Sequence, residues 1–148
     1  MRWYDSYPAL LAHEKPAFVD LGLPTDVHAK AAIAFLTAGV PVLCEKPMSL
    51  SLADCDAMIA ASRQSGAPLM IAQCIRFWPA YQFLKDLVRS GEAGKLLSLQ
   101  MWCGGSTPGW KTTHWMKDPA RSGGAILDLH IHDIDFRQYL LGLPKRIY

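Results

Sequence analysis

Two rhythms of apolar and polar positions run along this chain, and its first 75 residues use them in turn. Ala17 to Leu23 is a short, mostly apolar run stopped by Pro24; Pro41 to Glu45 is a second and Pro68 to Cys74 a third. Runs of this length read as strands buried on both faces. Between them lie two helical stretches. Thr25 or Asp26 caps a helix through Ala38 that Gly39 ends; Ser51, with Asp54 three residues on, caps a helix that stops at Gly66. A short helix over Tyr4 to Leu11, with Asp5 or Ser6 as its cap, precedes the first strand. Strands alternating with helices through short joints predict an α/β fold, half of a doubly wound parallel sheet.

After about residue 75 the rhythm changes, which places a domain boundary there. Pro79 opens a helix to about Arg89 that Gly91 closes. Lys95 to Cys103 alternates like a strand with one polar face, followed by a loop to Gly109 and an irregular aromatic stretch to Arg121. Ser122-Gly123-Gly124 opens one long helix, about Ala125 to Leu141, closed by Gly142; Lys145 to Tyr148 reads as the start of a further strand. On the long helix Leu127, Ile131, Ile134 and Leu141 form one apolar stripe, and Leu129, Phe136 and Leu140 a second, so it is expected to be buried on most sides.

Composition narrows the class. Of 148 residues 51% are apolar and 19% charged, which fits an ordinary globular domain and excludes a disordered chain. A net charge of +2, with no run of Lys or Arg, gives no nucleic-acid footprint. No apolar stretch approaches the roughly 18 residues of a membrane span, and Met1 to Asp5 has neither the apolar run nor the small-residue site of a signal peptide. Cys44, Cys55, Cys74 and Cys103 form no CxxC pair; all but Cys55 lie in strand-like stretches, so buried free thiols in a reducing cytoplasm are expected.

Four segments carry candidate chemistry. The long helix holds Asp128, His130, His132, Asp133 and Asp135, and ionisable groups on a buried helix cost several kcal/mol unless paired or used. Asp128 and His132 stand four apart on one helix face, where a carboxylate can orient an imidazole and raise its basicity; a purely structural pair or cap is the alternative. Glu45-Lys46-Pro47 follows the second strand directly. Ligands in open parallel sheets lie beyond the carboxyl ends of the strands, so Lys46 is either in that crevice or a solvated surface lysine. Leu23-Pro24-Thr25-Asp26-Val27-His28 either places a helix N-terminus by the same crevice or is simply a turn and helix cap. Past the third strand, Arg76 could hold substrate oxygens or form an interdomain ion pair.

The order LPTDVH, CEKP, RFWPAY and SGGAILDLHIHDID resembles the Gfo/Idh/MocA oxidoreductases (glucose–fructose oxidoreductase, inositol dehydrogenase), over nearly the whole chain from about Tyr4 to Tyr148. The resemblance implies that residues 1–75 are the C-terminal half of an NAD(P)-binding Rossmann domain and 76–148 the first part of an α/β substrate and oligomerisation domain. It implies NAD or NADP as cofactor, and a sugar, polyol or related diol as substrate. It further implies no nucleic acid or membrane partner, a cytoplasmic location and a homo-oligomer in the full-length form. Lys46, Asp128 and His132 would be catalytic, with His132 taking the hydroxyl proton. Leu23, Pro24, Thr25, His28, Glu45, Lys46, Pro47 and Gln73 would line the cofactor, and Arg76 and Trp110 would face the substrate. His130, two residues before His132, points roughly 200° away from it on a helix.

One part of the family pattern is missing. No GxGxxG follows a strand and opens a helix. The expectation is therefore a piece cut at both ends, which alone is inactive or aggregates unless another chain completes it. Measurable NAD(P) binding by titration calorimetry would count against that. A non-catalytic relative that keeps the fold is the alternative. A metal hydrolase, suggested by His130-Ile131-His132-Asp133, would need a strand, because residues two apart share a face only there.

Overall fold

The computed structural model of the chain describes residues 2–104 and 114–148. Helix α1 spans Tyr7–His13, with Ser6 Oγ accepting from the Ala9 amide. Strands β1 (Val19–Leu21), β2 (Val42–Glu45) and β3 (Leu69–Ala72) form a parallel sheet in the order β1-β2-β3. Helices α2 (Thr25–Thr37) and α3 (Leu52–Ser65) make the two crossovers and pack on each other. The α/β architecture read from the alternating pattern is the one observed.

Local chemistry explains most of these boundaries. Ser51 Oγ accepts from the Asp54 amide and starts α3; Gly66, at φ 74°, ends it in the left-handed conformation that glycine adopts without Cβ strain. The start of α2 differs from expectation. Its N-cap is Pro24, and Thr25 is already helical, with no side-chain cap. A single core joins sheet and helices through Leu21, Ala31, Ala32, Phe35, Leu36, Val42, Cys44 and Met58. The alanines of α2 let that helix lie close against the sheet.

Beyond β3 a single 3-10 turn (Cys74–Phe77) leads into α4 (Pro79–Ser90). Another 3-10 turn (His114–Lys117) precedes α5 (Pro119–Ser122), α6 (Gly124–Asp128) and α7 (His130–Leu141). Several expectations fail in this half. Residues 95–103 and 145–148 form no strand, because a β ladder needs a partner and none lies beside them among the described residues. The one long helix is two, broken at Leu129. Nor is it buried on most sides. In α7 only Phe136 is buried, edge-on to Tyr81 at 4.7 Å, while Ile134, and Ile126 of α6, are exposed. The thiols also depart from the expected burial. All four are free, but only Cys44 is buried, where loss of solvation pushes it up to about 12; Cys74 and Cys103 are exposed.

Gly123 is the joint between α5 and α6. It sits at φ 76°, and an added Cβ would lie 2.8 Å from Leu127 Cβ. Strain and clash act together, so Gly123→Ala is expected to lower stability by about 2 kcal/mol, read from urea unfolding midpoints. Gly91→Ala, at φ 72° in open space, should lose less.

Candidate active site

Sheet register sets the site. Leu21 pairs with Cys44 and Cys44 with Ile71, so the three strands end side by side. Their continuations, Gly22 to Thr25, Lys46-Pro47 and Gln73, therefore emerge along one edge. This is the edge where open parallel sheets bind ligands.

Lys46 reaches from that edge to the end of α6. Its Nζ donates to Asp128 Oδ1 at 2.9 Å and to the Asp128 carbonyl at 2.6 Å, bridging 82 positions of sequence. The two side chains are 16% and 15% exposed, so the pair is largely withdrawn from water. The same contact lies at the break at Leu129. In a continuous helix the His132 amide would bond to the Asp128 carbonyl. Here Lys46 takes that carbonyl, and the His132 amide turns to Leu129 O at 3.2 Å. Asp128 and His132 thus stand in successive helices, and the Asp128 carboxylate is committed to the lysine.

His132 is half-buried, and its Nδ1 is buried with no hydrogen-bond partner. Burial, and then the Lys46 cation, hold its pKa below the ordinary 6.5; Asp128, Asp133 and Asp135 pull the other way and are outweighed. The ring is consequently a neutral base at physiological pH. The sign for stability follows from the same shift. With its folded value depressed, His132 costs no stability above the unfolded value, and stability is lost as pH falls from there through the folded value. An NMR titration of the ring should give a midpoint below 6.5, and Lys46→Met, which removes the cation, should raise it.

The other sequence candidates fall in different places. Leu23 and Glu45 are exposed, whereas Thr25, His28 and Pro47 are buried. Thr25 Oγ1 and Gln73 Oε1 are buried without partners. His28 Nε2 faces the Leu23 carbonyl at 2.7 Å and Nδ1 the Pro47 carbonyl at 2.9 Å. Arg76 forms a two-pronged ion pair with Asp135, with Nε 2.6 Å from Oδ2, and Gln82 donates to the Arg76 carbonyl. That pairing ties the turn after β3 to α7. His130 is half exposed and 3.2 Å from Asp133, on the solvent side. Trp110 lies outside the described residues. A pairing with no local signature joins Arg121 of α5 to Asp26 of α2, Nε to Oδ2 at 2.7 Å, 95 positions apart.

The edge fits a nicotinamide nucleotide. Unpartnered Thr25, Gln73 and His132 atoms offer donors and acceptors suited to an amide and ribose hydroxyls, around a cation and a neutral base. Among the described residues no cluster of three or more His, Cys, Asp or Glu could hold a metal.

Comparison with known proteins gives the family. A model of the oxidoreductase family with an NAD-binding Rossmann fold matches residues 1–73, and the GFO/IDH/MocA C-terminal domain matches residues 81–148. The chain belongs to the Gfo/Idh/MocA oxidoreductase family. It is 32% identical over 143 residues to the 2,7-anhydro-N-acetylneuraminate hydratase of Mediterraneibacter gnavus, covering 93% of this chain and 37% of that protein. It is 33% identical to the trans-1,2-dihydrobenzene-1,2-diol dehydrogenase of Bos taurus, with 96% and 42% covered. Levoglucosan dehydrogenase in complex with NADH and levoglucosan superposes with a TM-score of 0.78 at 29% identity, over 94% of this chain and 38% of that one. The chain therefore spans about two fifths of the length of these relatives. No helix among the described residues is long and apolar enough to cross a membrane.

Proposed function

We propose that this chain forms the nicotinamide and substrate end of an NAD(P)-dependent oxidoreductase that moves hydride between the cofactor and a secondary alcohol of a sugar, polyol or related diol. The observation that carries the proposal is the Lys46–Asp128 pair beside the neutral His132, at the carboxyl ends of three parallel strands. The family match, and relatives named for a diol and an anhydrosugar, support it.

The parts suit the chemistry. Oxidising a secondary alcohol requires the O–H proton to leave as hydride departs from carbon. His132 accepts the proton. Lys46 stabilises charge developing on the oxygen, and Asp128 fixes the lysine amine and offers an acceptor to a substrate hydroxyl. A nicotinamide held at this edge would supply the hydride acceptor. Leu23, Pro24, Thr25, His28, Glu45, Lys46, Pro47 and Gln73 are assigned to its wall, Arg76, held by Asp135, to the substrate side, and Trp110 to the substrate by the family resemblance alone. Residues 1–75 belong to the cofactor domain and 76–148 to the substrate domain. The enzyme works in the cytoplasm as a homo-oligomer on a small molecule, with no nucleic-acid partner. NAD and NADP both fit this end of the crevice, because the 2′-phosphate is read elsewhere in the fold.

The test is a chimaera in which residues 1–148 replace the matching segment of levoglucosan dehydrogenase. Offered NAD+ with polyols, anhydrosugars and vicinal diols, it should reduce the cofactor with at least one of them. A folded chimaera that binds NADH yet oxidises none of these alcohols would overturn the proposal.

A further inference from the structure

Each strand exit is tied to the second half of the chain by one ion pair. Asp26, after β1, meets Arg121 of α5; Lys46, after β2, meets Asp128 of α6; Arg76, after β3, meets Asp135 of α7. The break at Leu129 gives the third pair its weight. α6 and α7 are separate helices, so the Lys46–Asp128 pair at the end of α6 does not by itself fix how α7 is turned about its own axis. His132 rides on α7. Among the described residues, Arg76–Asp135 is the one ion pair that leads from α7 to another element.

One face of α7 makes the contact. His132, Asp135, Phe136 and Tyr139 follow one another at helical spacing and share that face. The Asp135 carboxylate, 12% exposed, takes the Arg76 guanidinium at two points, with Nε 2.6 Å from Oδ2. The central carbon of the same guanidinium lies 4.8 Å from the centre of the Tyr139 ring, and a planar cation is attracted to an aromatic face. Two side chains of α4 brace the arrangement: Gln82 donates to the Arg76 carbonyl, and the Lys85 amine sits 3.1 Å from the centre of the Tyr139 ring. A flat cation gripped by a carboxylate and by a ring one turn further on resists rotation of the helix, which a single contact does not. We propose that Arg76, Asp135 and Tyr139 form a clamp that sets the rotation of α7 and so aims the His132 ring at Lys46. Asp135 and Tyr139 are then positioning residues. Their part in turnover rests on the reading of His132 as proton acceptor; the geometry of the clamp does not.

The first test is kinetic, in the folded chimaera. Asp135→Asn should lower kcat about 10- to 100-fold, the cost of a misplaced catalytic group, while KM for the alcohol changes by less than about threefold. Tyr139→Leu should lower kcat in the same way, and Tyr139→Phe, which keeps the ring, should hold the native rate. An unchanged kcat in Asp135→Asn and Tyr139→Leu, or a loss confined to KM, overturns the clamp. The second test needs no turnover and uses the 148-residue chain. Lys46, Asp128, Asp133 and Asp135 are the charged groups that act on the His132 ring. Losing the Asp135 charge alone would lower the NMR titration midpoint of His132 and leave its response to Lys46→Met intact. A ring released by the clamp should instead lose at least about half of that response, because the lysine field weakens with distance. An undiminished response in Asp135→Asn overturns the clamp even if the chimaera oxidises alcohols; a diminished one supports it even if the chimaera transfers no hydride. Should Asp135→Asn not fold, Tyr139→Leu against Tyr139→Phe decides both measurements.

Discussion

Lys46→Met in the chimaera should slow alcohol oxidation by about 10²- to 10³-fold, the usual cost of removing one group that stabilises a developing oxyanion. The expectation rests on where the ammonium sits. It is 16% exposed and held at two points by Asp128, so its charge is fixed in advance and poorly screened by water. Methionine keeps the length and apolar stem, so packing is preserved; the Asp128 carboxylate left without its cation lowers stability, and the rate is therefore read on a chimaera shown to be folded. The substitution should also move the acid limb of the pH–rate profile upward, because Lys46 is the second largest cause of the depressed His132 value. Steady-state rates over a pH series check both effects together. A slower rate with an unmoved limb would mean that Lys46 does not act on His132.

The second large effect is on stability. Asp128→Ala leaves Lys46 withdrawn from water without its carboxylate, and breaking such a pair costs about 3 kcal/mol. Replacing both partners with apolar side chains, Lys46→Met with Asp128→Leu, should return the chain to within about 1 kcal/mol of the wild type, since the desolvation penalty goes with the charges. Urea unfolding of the singles and the double closes the cycle. A site kept for chemistry predicts this pattern, in which the charge-free double folds well and catalyses nothing. A pair kept for structure predicts that the double is as damaged as Asp128→Ala.

Much of the cofactor side was legible from local signals. Short apolar runs between capped helices were enough to place β1, β2 and β3, and Ser51 and Gly66 bound α3 as their chemistry requires. Glu45-Lys46-Pro47 announced itself by following a strand. What the sequence hid is long-range. Nothing local joins Lys46 to the Asp128 carbonyl, Arg76 to Asp135 or Arg121 to Asp26, pairs separated by 82, 59 and 95 positions. The break at Leu129 has no local mark either. No glycine or proline marks it, and the Asp128 carbonyl beside it is met by a distant lysine. His28, in the turn expected to line the cofactor, also has a ring nitrogen 2.9 Å from the Pro47 carbonyl, 19 positions away. The strands expected over 95–103 and 145–148 show alternation without pairing, because period-two patterning supplies a face but not a neighbour.

The decisive measurement follows one hydrogen. The chimaera is given an alcohol deuterated at the carbinol carbon together with NAD+, and the reduced cofactor is examined by mass spectrometry. One deuterium should appear on the nicotinamide ring with the native segment, and its rate of appearance should collapse in Lys46→Met and His132→Ala while NADH still binds. Deuterium transfer at an unchanged rate in both variants would show that the chemistry does not run through these residues.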